Sequence, residues 1–136
     1  MQSRAIEKLK NKKPKKVLVK SLPQLKKQLQ QAFNSWIRNR DKDLPCISCG
    51  QFKDKYHAGH FIAQGFSGFL RYNEDNCHKQ CVGCNLFKRG NLLEYRISLT
   101  QKIGKDKVEW LEEHRKDVKK TTREELEELL NKYKEQ

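Results

Sequence analysis

The chain contains no run of the roughly 18 apolar residues needed to cross a bilayer, so no spanning helix and no membrane partner are expected. Its opening residues, MQSRAIEKLKNKKPKK, hold none of the apolar stretch of a secretory leader, so a cytoplasmic location is expected. Carboxylates are scarce, 17 against 30 Lys and Arg, for a formal net charge of +13. That imbalance calls for a polyanionic partner, of which nucleic acid is the commonest in a cytoplasm; a merely solvated lysine-rich surface is the alternative. Apolar residues make up only 35% of the 136, matched by charged ones, so one thin-cored domain is expected. A thin core needs a staple. In a reducing compartment cysteine pairs read as metal ligands before they read as disulfides. No internal repeat is visible.

Residues 1–20 carry eight Lys or Arg against one Glu and are read as a flexible basic arm, with a nascent helical turn near Ala5–Leu9. Next, SLPQLKKQLQQAFNSWIRNRD pairs Ser21 with Gln24 as a capping box and puts Pro23 in the first turn. Leu25, Leu29, Phe33, Trp36 and Ile37 recur at helical spacing, which predicts an amphipathic helix ending near Arg40. Another helix is expected after Asn91 and Glu94 in capping positions, with Leu92, Tyr95, Leu99 and Ile103 on one face and Gly104 as its stop. A third carries Val108, Leu111 and Arg115 on one face. Thr122 and Glu125 cap a last one, Arg123 to Lys134, with Leu126, Leu129, Leu130 and Tyr133 inward. Its outer face is acidic (Glu124, Glu125, Glu127, Glu128), so a partner or homodimer contact suits it better than DNA. The chain therefore divides into the arm, a domain over 21–120, and an acidic helical tail over 121–136.

The middle differs in kind. Cys46-x-x-Cys49 and Cys81-x-x-Cys84 are two knuckles with the spacing that a tetrahedral Zn²⁺ requires, predicting one structural zinc site. The 31 residues between them exceed what a simple zinc ribbon uses, so a functional insertion is expected. Within it, YHAGHFIA suits a strand and GFSG a loop. Cys77 lies outside both pairs and is read as a buried apolar residue. His78 reads as a support for a metal ligand or as a surface residue, the surface preferred.

The order Cys-x-x-Cys, His60, Asn76, Cys-x-x-Cys-Asn85, then Lys88 and Gly90, resembles the HNH, or ββα-metal, nucleases. HAGHF, LRYNEDNCHKQCVGCN, GN, YR and IGKDKVEWL are further similar to the NinG (Rap) family of lambdoid-phage recombination proteins, from about Pro45 to Leu111. The resemblance implies an α+β fold: a zinc-stapled HNH module with flanking N- and C-terminal helices. It also implies a metal-dependent endonuclease cutting branched DNA, such as Holliday junctions and D-loops, in a bacterial host cytoplasm. On that footing His60 is the expected general base, since a neutral imidazole can deprotonate water near pH 7. Asn76 orients the segment carrying it, and Asn85 offers its side-chain oxygen to a catalytic Mg²⁺ or Mn²⁺. Arg71, Lys88 and Arg89 are candidate phosphate contacts.

One departure stands out. Most HNH nucleases carry an acidic ligand immediately before the base, where this chain has Gly59. The NinG pattern has an aspartate three residues before it, where this chain has His57. With a bulge in the strand, His57 could reach the same ion, and its softer imidazole would favour Mn²⁺ or another transition ion. The absent carboxylate also keeps a rival open, a non-catalytic zinc module binding DNA or RNA. A third reading is an assembly protein docking through its acidic helix.

Overall fold

The computed structural model describes residues 19–63 and 68–134. The basic arm up to residue 18 and most of the GFSG loop lie outside the described residues.

Helix α1, Leu22–Arg40, starts at the expected capping box. The Gln24 N–H donates to Ser21 Oγ (3.3 Å), and the Ser21 N–H donates back to Gln24 Oε1 (3.1 Å). Leu25, Leu29, Phe33 and Ile37, four apart, form its buried stripe. Two short strands follow: β1, Tyr56–His60, and β2, Cys77–Cys81. They pair antiparallel in unbroken register from Tyr56↔Cys81 to His60↔Cys77. The YHAGHFIA strand therefore stops at His60: Phe61 still bonds to the Asn76 carbonyl (2.8 Å), but beyond it the chain turns away. No bulge interrupts the ladder, so the shortcut expected for His57 is absent.

After β2 come α2, Leu92–Ile103, α3, Lys105–Glu113, and α4, Arg123–Lys134. Gly104 separates α2 from α3 with φ 94°, a left-handed angle that glycine adopts without a Cβ penalty. The cap expected at Asn91 does not form. Asn91 has φ 43° and no side-chain cap bond, and its Nδ2 points instead at Cys84 Sγ (3.5 Å). Leu92, expected inward, is exposed, and Arg115 lies beyond the end of α3 in solvent. Of the α4 stripe, Leu126, Leu130 and Tyr133 are buried and Leu129 half-buried, and Thr122 Oγ1 accepts the Glu125 N–H (3.2 Å).

The sheet divides the core. Ala58 and Cys77, on one face, join the α1 and α4 stripes, where the Tyr133 ring meets Phe33 edge-on at 5.0 Å. Toward α2 and α3, Ile47, Phe61, Leu70, Tyr95, Leu99, Val108 and Leu111 form a second cluster. The Tyr95 hydroxyl reaches the sheet by donating to the Gly59 carbonyl (2.7 Å). No described helix is long and apolar enough to cross a membrane.

Candidate metal centre and adjoining cavity

Cys46, Cys49, Cys81 and Cys84 bring their sulfurs within 4.8 Å of one another, so the two knuckles, far apart in sequence, form one cluster. Gly50, at φ 70°, closes the first knuckle by donating its N–H to the Cys46 carbonyl (2.9 Å), and the Ile47 N–H ties it to Lys79 on β2 (3.0 Å). The donor set fits zinc. At the usual Zn–S length of about 2.3 Å a tetrahedron has S···S edges of about 3.8 Å, and Cys49 and Cys81 stand 3.8 Å apart. Amide N–H groups face the sulfurs, as thiolates require: Cys84 N–H to Cys81 Sγ (3.4 Å), and the Asn91 amide to Cys84 Sγ. Burial pushes the Cys46 thiol up, but backbone N–H groups of Cys49, Cys81 and Ser48 outweigh it and bring it down to about 7. Burial dominates at Cys84 and pushes it up to about 12. The cluster could hold a metal ion such as zinc.

His60 stands at the far end of β1. Its Nε2 is 2.9 Å from the Arg71 carbonyl. A carbonyl only accepts, so Nε2 carries the proton and Nδ1 the lone pair, 3.8 Å from Cys77 Sγ. Burial, and then the nearby Arg71 charge, lower the His60 pKa below its ordinary value, against the opposing pull of that carbonyl. Cys77 is fully buried, and burial pushes its thiol up to about 12, so it remains a neutral neighbour. The Asn76 side chain clasps the chain on both sides of the loop after His60: Oδ1 accepts the Ile62 N–H (2.8 Å), and Nδ2 donates to the Ile62 and Leu70 carbonyls (3.0 and 3.2 Å).

His60 and Asn85 line one cavity of about 370 Å³, with Phe61, Ala63 and Arg89 also on its wall and no carboxylate among the lining residues. Asn85 sits on a five-residue π turn, Gly83–Phe87, ahead of α2 and not on that helix. Its Nδ2 lies 2.9 Å from His57 Nδ1. Strand alternation sends His57 and His60 to opposite faces of β1, yet this one turn reaches both. Lys88 and Arg89 are exposed just after it, whereas Arg71 is half-buried and donates to Gln30 Oε1 (2.8 Å).

Position 59 has no room for a side chain. A Cβ there would lie 2.9 Å from Gln80 Cβ and would run into Gln80 Oε1. Gln80 is itself pinned, its Nε2 donating to Ser48 Oγ (2.8 Å) and the Gly90 carbonyl (2.6 Å), while its Oε1 has no hydrogen-bond partner among the described residues.

His78 corrects the surface reading: it is 1% exposed. It belongs to a buried polar clasp centred on Asp41, the residue after α1. Asp41 receives Arg40 Nε (2.9 Å), Lys102 Nζ (3.0 Å) and the Lys79 N–H (3.1 Å). Burial would raise the Asp41 carboxyl, but these donors hold it well below the usual carboxylate range. His78 Nδ1 accepts from Lys102 Nζ (2.8 Å) and Nε2 donates to the Asp75 carbonyl (2.8 Å). Burial, then the Lys102 charge, push His78 down to about 3, so it is neutral. Sequence reading missed Asp41 and Lys102. The one local signal was a lone acid directly after a basic helix end, and its partners lie 38 and 61 residues away.

Together, the helices, the two-stranded sheet and the four-sulfur cluster define a small mixed α/β protein built around a candidate metal centre. Residues 1–136 match the family described as Bacteriophage Lambda NinG protein, and the chain belongs to that family. It is 51% identical over 87 residues to Protein ninG of Escherichia phage lambda, covering 63% of this chain and 43% of that protein. Against Protein ninG of Salmonella phage P22 it is 48% identical over 99 residues, covering 72% of this chain and 49% of that one. The matched segments thus span about half the length of these relatives or less. No solved structure matches the chain.

Proposed function

We propose that the chain is a metal-dependent endonuclease of the HNH type that cuts branched DNA recombination intermediates, with a zinc ion held by the four cysteines. The observation that carries the reading is His60: a neutral imidazole, its tautomer set by the Arg71 carbonyl, on the wall of a cavity shared with Asn85. Membership of the NinG family and the net charge of +13 support it.

In this mechanism Nδ1 of His60 takes a proton from water as the water oxygen attacks phosphorus, and the P–O bond to the leaving oxygen breaks. Asn76, by clasping Ile62 to Leu70, keeps the post-strand loop, and so the ring, in place. His57 and Asn85, 2.9 Å apart, would hold a catalytic divalent ion. Such an ion supplies stabilisation of the negative charge that grows on the phosphate and the leaving oxygen. Arg71, Lys88 and Arg89 bind the DNA backbone.

The experiment compares His60→Ala with wild type on a labelled four-way junction across a Mn²⁺ titration. Cleavage should fall about 10²–10⁴-fold, with binding changed by no more than a few-fold. His57→Ala should instead regain activity as Mn²⁺ rises. Because the base is held neutral by burial, wild-type cleavage should rise with pH through a point below the ordinary histidine value. Equal cleavage by wild type and His60→Ala would remove His60 from the mechanism.

A second reading rests on Gly59. Gln80 fills the space where a carboxylate ligand before the base would stand, which favours a zinc-containing module that binds DNA or RNA without cutting it. Inactivity of the wild type with every divalent ion would select it.

A further inference from the structure

Away from the His60 cavity, three separate elements aim cations at one recess. Lys26 from α1, Arg71 from the turn after Leu70, and Lys119 and Lys120 from the segment before α4 line a cavity of about 330 Å³, with Tyr72 in its wall and no carboxylate among the described lining residues. Arg71 is held in place by Gln30 and lies 5.8 Å from the Tyr72 ring centre. Lys119 is paired at 3.3 Å with Glu125. Four cations in a recess of this size repel one another, and an anion relieves that.

A second recess of about 220 Å³ shares Gly68, Tyr72, Lys119 and Thr121 with the first and adds Phe69, Asn73, Leu129 and the Lys119-paired Glu125 to its wall. Phe69 in turn begins an aromatic group. Its ring is 5.9 Å from Trp110 and 5.9 Å from His114, and Trp110 and His114 stack at 4.1 Å and 24°. Trp110 remains 40% exposed, although a ring of that size gains most by burial. A cationic recess continuous with a partly open aromatic stack is the combination that holds single-stranded nucleic acid: phosphates in the groove, a base on the rings. Duplex DNA keeps its bases stacked inside and offers no free ring face.

We propose that this surface binds one unpaired strand, its phosphates held by Lys26, Arg71, Lys119 and Lys120 and a base stacked against Trp110. Resting on the nuclease reading, the proposal gives that site a substrate feature. Arg71 lines the recess and meets His60 through its carbonyl, so one residue links the strand's recess to the candidate base. A branch point, where paired arms meet unpaired nucleotides, supplies such a strand.

The test measures binding of the zinc-loaded full chain, without added Mg²⁺ or Mn²⁺, to a short fluorescent single strand and to the matching duplex. Trp110→Ala should weaken the single strand about 5- to 100-fold and leave the duplex nearly unchanged, with Trp110→Phe recovering most of the loss. Lys26→Ala with Lys120→Ala should flatten the salt dependence of single-strand binding by about one to one and a half in slope. Circular dichroism melts verify that each variant is folded. An unchanged slope, or equal effects of Trp110→Ala on strand and duplex, would overturn the proposal. So would loss of a dimer on Trp110→Ala by sedimentation, which would make the stack a protein contact. Failure to cleave with strand binding intact would defeat the nuclease reading alone.

Discussion

The two ends of one short ladder hold their chemistry by opposite means. At the Tyr56↔Cys81 end, four soft donors lie within 4.8 Å of one another, enough by themselves to fill the shell of a tetrahedral ion if one binds. At the His60↔Cys77 end the cavity is open and hydrogen bonds alone set the side chains: one from His60 to the Arg71 carbonyl, three between Asn76 and backbone, and one between Asn85 and His57. A closed shell makes a staple, whose binding free energy is folding free energy. An open one leaves room for something to enter. The Asp41 clasp adds a second tie, joining α1 to β2 and α2.

The staple gives the largest expected effect. Cys81→Ser should remove about one zinc per chain by elemental analysis and abolish the cooperative melt of the central module, since such sites contribute roughly 10 kcal/mol or more. A variant that melts like wild type would show that the two ends do not differ in this way.

Next comes Gly59. If the open end merely lacked a carboxylate, Gly59→Asp would tighten metal binding there. Collision with Gln80 predicts the opposite, a loss of about 3 kcal/mol in denaturant stability from overpacking and a buried charge, with no gain in Mn²⁺ affinity. Improved cleavage by Gly59→Asp would mean that Gln80 yields more easily than its two hydrogen bonds suggest.

The smallest effect tests the clasp. His78 has its folded pKa depressed to about 3, so its contribution is fully present above the unfolded value near 6.5 and is lost as pH falls toward 3. The unfolded chain takes up the proton that the folded one refuses. Asp41 acts in the same direction at lower pH. Urea midpoints should therefore fall between pH 7 and 5, and His78→Gln should recover about 1–2 kcal/mol of that loss at pH 5. An identical pH dependence in the variant would assign the acid sensitivity elsewhere.

Much of the scaffold was legible in one dimension. The capping box at Ser21, the stripe from Leu25 to Ile37, the stop at Gly104 and the Thr122 cap all follow from i, i+3 and i, i+4 relations, which depend on nothing beyond the next turn. Asn91 misled because its local pattern was that of a cap, while a sulfur seven residues earlier competed for its amide. His78 misled for a similar reason. A histidine on a short polar strand carries no local sign of burial, and its partner Lys102 comes from a helix 24 residues on.

By itself the sequence determined the helices, the pairing of two cysteine knuckles and the family, because each rests on short spacings or on residue identity. Only the tertiary structure decided that no side chain fits at position 59, that Asn85 touches His57 while lining the His60 cavity, and that Asp41 binds α1 to β2 and α2. These are facts of packing between segments distant in sequence. They depend on which atoms occupy the same few ångströms after the chain has closed, and no local pattern carries that information.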